Sequence, residues 1–406
     1  MASVFSVEGV KNLPVAEFAS FGNFKLRRTA EVDFADYQRK QSRFLSPYSI
    51  DYNRRCAVFV QTSLSVTQLK SQTFLYQAQR DHAEWVLLVP FDELLNLGKI
   101  TPAGTENKKK LFFLHSTGRC GSTLLCNLLE DAGEMTVLSE PDFYSQWVML
   151  SQKYRAQLDP RIPKVVGMLT SLLLAALDDD PGAESVVIKL RGICINVAEK
   201  MQQSHVNAKN IFLYRNAYDT GNSFLGLLLK LPLVQMINRL RLDRLPVYWL
   251  VGIPGLKSKL RAFAPLSVIP RYNRVSAIGG ASVIALSWLS KMDLALELSH
   301  KRPGFFLCCV RYEDLMKDAP ELMQALVPLM VGRELGGPAR INMNKTLCVN
   351  SQEGSDVKSD GLYRLSANDI ERIDQVLSKH RVIKDSDYQL PNTLVVAGDK
   401  LLTAGA

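Results

Sequence analysis

The sequence predicts an α/β fold, three layers deep (α/β/α) around a mainly parallel sheet, with a smaller mixed region ahead of it. Three observations carry that expectation. Short apolar runs recur along the chain, and each is followed by helical periodicity. The runs are continuous rather than alternating, as in strands covered on both faces. At 406 residues, 47% hydrophobic and 22% charged, the chain has apolar material for a sizeable core.

In order, "CAVFVQTSLSV" has strand composition, and "EWVLLVPFDELLNLG" reads as a strand and a short helix ending at glycine. These place a mixed α+β region over 1–100. Glycine, proline and charge in "GKITPAGTENKKK" mark a linker, 101–110. The main domain then spans 111–390, with 391–406 as a C-terminal tail. Its strands are "LFFLH" (111–115), "MTVLS", "SVVIKL" (185–190), "NIFLY" (210–214) and "FFLCCV". Helices are predicted over 122–132, from near Pro141, and along "ASVIALSWLSKMDLALELSH".

Several function classes drop out early. The longest apolar tract, Val165 to Leu177, contains Thr170 and Ser171 and is well short of the ~20 residues of a membrane span. Charges and a proline interrupt the start "MASVFSVEGVKNLPV", so no secretory core is read there and a cytoplasmic protein is expected. Seven cysteines form no framework and no metal-ligand spacing, and the five histidines do not cluster. Reduced thiols and no metal site are the expectation.

Chemistry concentrates at strand ends, where open parallel sheets bind ligands. After the first strand comes "HSTGRCGST", Ser116, Thr117, Gly118, Arg119, Cys120, Gly121, Ser122 and Thr123. Such a turn, leading into a helix N-terminus, makes an anion cradle. A nucleotide-triphosphate loop would continue Gly-Lys-Ser/Thr, whereas Gly121 precedes Ser122 and the positive charge sits at Arg119. A helix capped by Ser122 or Thr123 is the plainer alternative, but a cap needs neither Arg119 nor two glycines. After "NIFLY" comes Arg215 in "YRNAYDTGNSFL", with Ser223 two turns into the next helix. That pair could grip a second phosphate.

Together these motifs resemble those of the P-loop sulfotransferases. The first is similar to their 5′-phosphosulfate loop. The second resembles their 3′-phosphate motif Arg-Asn-x-x-Asp-x-x-x-Ser, at Arg215, Asn216, Asp219 and Ser223. "VRYEDLMKDAP" (310–320) looks like the strand and acidic turn late in such domains, and the resemblance covers roughly 110–385. It implies 3′-phosphoadenosine 5′-phosphosulfate as donor, 3′,5′-ADP as product, and in-line transfer of a sulfuryl group, without a metal ion, to a hydroxyl or amine. Arg119 and the loop would hold the sulfate end, Arg215 and Ser223 the 3′-phosphate.

Two departures turn the resemblance toward the carbohydrate-type and bacterial branch. In "VVIKLRG", Lys189 matches the lysine of the cytosolic Lys-x-His element, but Arg191 stands where the base histidine would be, and arginine does not serve as a base. Leu124 replaces the tryptophan that stacks on adenine in the cytosolic branch, and the polar loop 350–361 is a positional guess for those contacts. Glu140 in "VLSEPDF" is the candidate general base, with Arg119 and Lys189 as the other catalytic candidates. An acid that merely opens a helix is the alternative for Glu140, and His115 is a second candidate base. Cys120 reads as a small residue turned into the core.

The acceptor is expected to be a small molecule or carbohydrate. Its wall would lie in 231–280, where Tyr248, Trp249 and Phe263 mix with basic residues. Eight basic residues face one acid, Asp243, between Arg239 and Arg274, so an apolar pocket with a basic rim, an anionic acceptor site and a weak membrane-surface contact stay open there. No nucleic-acid partner is expected. The rival functions are a non-catalytic sensor or scaffold that binds the donor or 3′,5′-ADP, and a P-loop nucleotide-dependent kinase.

Overall fold

A computed structural model describes residues 1–13, 17–70, 74–100, 109–132, 135–177, 184–228, 280–336, 342–343, 345–347, 363–397 and 400–404. The acceptor segment 231–279, the basic run 239–274, the polar loop 350–361 and most of the 101–110 linker lie outside the described residues.

Five strands form an antiparallel sheet: β1 (Ala2–Val10), β2 (Phe24–Val32), β3 (Leu45–Asp51), β4 (Cys56–Thr62) and β5 (Ala83–Pro90), in the order β2-β1-β5-β4-β3. A second sheet contains β6 (Lys110–Ser116), β7 (Met135–Ser139), β8 (Ser185–Lys189), β9 (Lys209–Tyr214), β10 (Phe306–Arg311), β11 (Thr393–Ala397) and β12 (Lys400–Ala404). Its order is β12-β11-β10-β9-β6-β8-β7, with parallel pairs β7·β8, β9·β10 and β10·β11 and an antiparallel β11·β12 hairpin at one edge. The segment read as a tail therefore carries two strands.

The chain divides into two compact units: Met1–Phe113, Gly133–Leu190 and Val197–Ala208 in one, and Leu114–Ala132, Arg191–Asn196 and Lys209–Ala406 in the other. In the first, Phe24, Tyr48, Val58, Val60 and Val86 of the antiparallel sheet pack together with Tyr76 of the helix Leu75–Asp81, while β2 is mostly exposed. The helix Phe143–Tyr154 belongs to this unit because its side chains complete backbone hydrogen bonding in the N-terminal region. The Asp142 carboxylate accepts from the Ala19 N–H, and Gln146 Oε1 accepts from the Ile50 N–H.

The second unit is built on the end of β6 and on β9 and β10, whose side chains are nearly all buried. The helices Ser122–Asp131, Ala217–Leu228 and Gly280–Lys301 belong to it. The path from β6 leads by its helix to β7, two places away on one side, whereas β9 adjoins β6 on the other. The sheet order thus reverses at β6 and β9, and the loops at their carboxyl ends flank the switch point where such folds bind ligands.

Candidate donor site at the ends of β6 and β9

The loop after β6 is held open by its backbone. Gly118, Arg119 and Gly121 have positive φ (82°, 55° and 77°), with Cys120 between them outside that region; backbone of this kind can gather N–H groups into a concavity suited to an anion. Gly121 occupies the cap position of the helix Ser122–Asp131 with no side-chain capping bond. The simple capping alternative for Ser122 and Thr123 therefore fails: both lie inside the first helical turn, whose N–H groups lack intrahelical partners and favour an anion. The Thr117 N–H donates to the Leu213 carbonyl of β9 (3.1 Å), fixing the loop to the neighbouring strand.

The two sequence motifs meet here. Arg119 Nε donates to Ser223 Oγ at 2.9 Å across a separation of 104 residues. Burial, and then the charge of Arg215, hold the Arg119 guanidinium below its ordinary pKa. Two cations repel one another in a partly dry setting, an arrangement that an anion between them would relieve. Arg215 lies 4.4 Å over the Tyr312 ring, with Nη2 3.4 Å from Asp219. Its buried Nε has no hydrogen-bond partner among the described residues, a donor that a phosphate oxygen could satisfy.

The remaining motif residues build this geometry. Asn216 Nδ2 donates to Asp219 Oδ2, the Asp219 N–H donates back to Asn216 Oδ1, and Glu313 Oε1 accepts from both the Asn216 N–H and its side chain. Trp288 Nε1 donates to the Arg215 carbonyl at 2.7 Å. Tyr312, from the third sequence match, lies between the loop and Arg215: its ring sits directly over Gly121, so a Cβ there would fall inside it. Gly121→Ala is therefore expected to weaken nucleotide binding by at least tenfold and lower Tm, since it adds a clash to an unfavourable φ. Calorimetric titration and thermal melts check this, and parent-like affinity would count against the Tyr312 packing.

Cys120 is fully buried, its Sγ donating to the Leu213 carbonyl at 3.5 Å, and burial pushes the thiol pKa up. It contributes backbone to the loop, as its reading as a core-facing residue anticipated. His115 lies inside β6, within the strand read from the sequence. It is wholly buried with Nε2 3.2 Å from Asn210 Oδ1, and burial takes its pKa down to about 4. A ring so enclosed fits the strand core better than proton abstraction.

Glu140 and Lys189 belong to the other unit, where they are paired with each other. Glu140 Oε1 is 3.6 Å from Lys189 Nζ, and the Glu140 N–H donates to the Lys189 carbonyl at 2.8 Å. Glu140 has φ 58°, rare for this residue type and worth of order 1–3 kcal/mol in strain. The following helix starts only at Phe143, with Asp142 at its cap position, so Glu140 is not the acid of a helical first turn. Lys189 is 3% exposed and lies 5.2 Å from the Phe74 ring centre. Lys291, which lies in no sequence motif, reaches the same loop: its Nζ donates to the Thr117 carbonyl at 3.1 Å.

No family model and no curated protein matches the chain. Among solved structures it is similar to the sulfotransferase STF9 from Mycobacterium avium, at 13% identity over 71% of this chain and 78% of that one, with a TM-score of 0.40. It is also similar to a sulfotransferase from Alicyclobacillus acidocaldarius, at 12% over 67% and 94%, TM-score 0.31. A sulfotransferase domain from the curacin biosynthetic pathway aligns at 17% over 70% and 93%, TM-score 0.31. Among the described residues, no group of His, Cys, Asp and Glu could hold a metal ion, and no helix is long and apolar enough to cross a membrane.

Proposed function

We propose that this chain is a sulfotransferase that binds 3′-phosphoadenosine 5′-phosphosulfate and passes its sulfuryl group to a hydroxyl or amine of a small-molecule or carbohydrate acceptor. The observation that carries the reading is the meeting of Arg119 with Ser223, and of Arg119 with the charge of Arg215. Two motifs far apart in sequence, each suited to an anion, would thus form one site at the switch point of a parallel sheet.

The residues fit such a donor. The positive-φ loop 118–121 and the helix N-terminus at Ser122 and Thr123 would hold the 5′-phosphosulfate, with Ser116 and Thr117 supporting the loop's entry. Arg215 and Ser223 would hold the 3′-phosphate. The donor supplies an activated sulfuryl group on a phosphate leaving group. Arg119 would bind and neutralise the anionic oxygens at the loop, and its bond to Ser223 ties that role to the 3′-phosphate end. Glu140 would serve as the general base, with Lys189 holding its carboxylate.

Calorimetric titration of the whole chain with 3′,5′-ADP, ATP and 5′-AMP tests the proposal. Binding of 3′,5′-ADP at least tenfold tighter than the other two is expected, because ATP and 5′-AMP offer no 3′-phosphate to Arg215 and Ser223. Preference for ATP would instead favour the kinase reading. Absence of nucleotide binding by folded protein would sink the proposal.

A further inference from the structure

A P-loop usually carries its lysine inside the loop, and this loop does not. The helix Gly280–Lys301 brings one from elsewhere in the chain. Lys291 is 2% exposed in a row of buried residues that includes Ile284, Trp288, Leu289 and Met292. Its Nζ donates to the Thr117 carbonyl at 3.1 Å and to Ser287 Oγ at 2.7 Å, the latter one turn back on the same helix. Thr117 is the first residue after β6, its N–H bonded to the Leu213 carbonyl of β9, and it leads into the positive-φ residues that begin at Gly118.

Burying an ammonium costs free energy that an apolar side chain of similar length would not incur. A methionine would fill the same helix position, so packing does not account for the charge. The place of the charge does: one residue before the positive-φ residues, on the carbonyl whose orientation sets where they begin. We infer that Lys291 is the positioning residue of the 116–121 loop, pinning the Thr117 carbonyl and placing a second positive charge beneath a loop whose own sequence carries Arg119 but no lysine. The inference rests on the donor reading above, since it assigns Lys291 a part in holding the same anion.

The surroundings give the ammonium a pH dependence. Burial lowers its pKa to about 8, and the Cys120 thiol beside it acts in the opposite direction. The carboxylates on this helix and on the helices packed against it have partners: Asp293 has His380, Glu297 has Lys301, Asp219 has Arg215 and Asn216, Asp369 has the Ser366 cap, and Asp374 has Tyr218, while His300 and Lys301 close the helix's C-terminal turn. Glu371 is bonded to Gln375, and Arg372 follows it on the same helix. The sign follows from linkage. Lys291 is charged below about pH 8 and loses its proton as pH rises through that value, while a bound anion favours the charged form.

Affinity for 3′,5′-ADP should then be level near pH 7, where its phosphates are already largely ionised, and fall above pH 8 by up to about tenfold per pH unit. The test is calorimetric titration with 3′,5′-ADP from pH 7 to 9.5 for wild type, Lys291→Met and Lys291→Arg. Lys291→Met is expected to bind at least tenfold more weakly at pH 7 with a level profile. Lys291→Arg, whose charge is permanent, is expected to recover affinity and to stay level. A level wild-type profile, which needs no variant, overturns the inference, as does Lys291→Met matching wild type at pH 7. Either result leaves the donor reading standing if wild type binds 3′,5′-ADP. Failure of folded wild type to bind at pH 7 overturns both.

Discussion

Arg215→Ala is expected to lower 3′,5′-ADP affinity by about a hundredfold or more while leaving 5′-AMP binding nearly unchanged. The arginine is held from three sides: its carbonyl by Trp288, its guanidinium by the Tyr312 ring, and Nη2 by Asp219. A cation held in that way pays little ordering entropy when a phosphate arrives. Truncating one partner of a buried, hydrogen-bonded charge pair costs about 2–5 kcal/mol, or roughly thirtyfold to several thousandfold in Kd. The 5′-AMP comparison localises the loss, because that ligand lacks the phosphate assigned to Arg215. Equal losses for both nucleotides would mean that the substitution had disturbed the loop through Arg119, and the 3′-phosphate assignment would fall.

Glu140→Gln is the second large effect, and it separates chemistry from binding. The substitution keeps the shape and the backbone bond to the Lys189 carbonyl but removes the carboxylate that faces Lys189 Nζ. Turnover, followed as 3′,5′-ADP release with an acceptor that the parent uses, should drop about 10²- to 10⁴-fold, the usual worth of a general base. Affinity for 3′,5′-ADP should be unchanged. A fall in Tm is also expected, since the buried Lys189 would lose its carboxylate partner. Retained turnover with reduced Tm would make the pair structural and leave the base to be sought elsewhere. A parent that binds 3′,5′-ADP but turns over no acceptor would favour the sensor reading.

The parallel sheet was legible in the sequence because buried parallel strands are unmistakably apolar: "LFFL", "VVI", "IFLY" and "FLCCV" have little use outside a covered sheet. The N-terminal sheet was less so. In β2, "FKLRRTAEV", most side chains face solvent, so no apolar run announces it, and only pairing with β1 makes it a strand. Leu394 and Thr393 are buried in β11, yet its apolar run at the chain's end reads as readily as a tail. At the site, loop residues were legible because positive φ requires glycine at Gly118 and Gly121. Arg119 and Arg215 were legible as fixed charges at strand ends. Lys291 was not: a lysine in the middle of a helix is ordinarily solvent-facing, and only tertiary packing reveals that this one is enclosed. Nor does any local pattern foretell that the Tyr312 ring would lie on Gly121.

The β11–β12 hairpin has a consequence for how the chain must be handled. Strand β10 lies between β9 and β11, with Cys308 and Cys309 buried, and Tyr214 of β9 shares a 2.8 Å hydrogen bond with Thr393 at the start of β11. A chain cut before Thr393 would turn β10 into a bare sheet edge, presenting unpaired amides beside a run of apolar side chains, which is a template for pairing with other molecules. The last strands are in this sense a seal. Trimming them is expected to give a protein that associates through its own sheet, with the loss felt as precipitation before it is felt at the nucleotide.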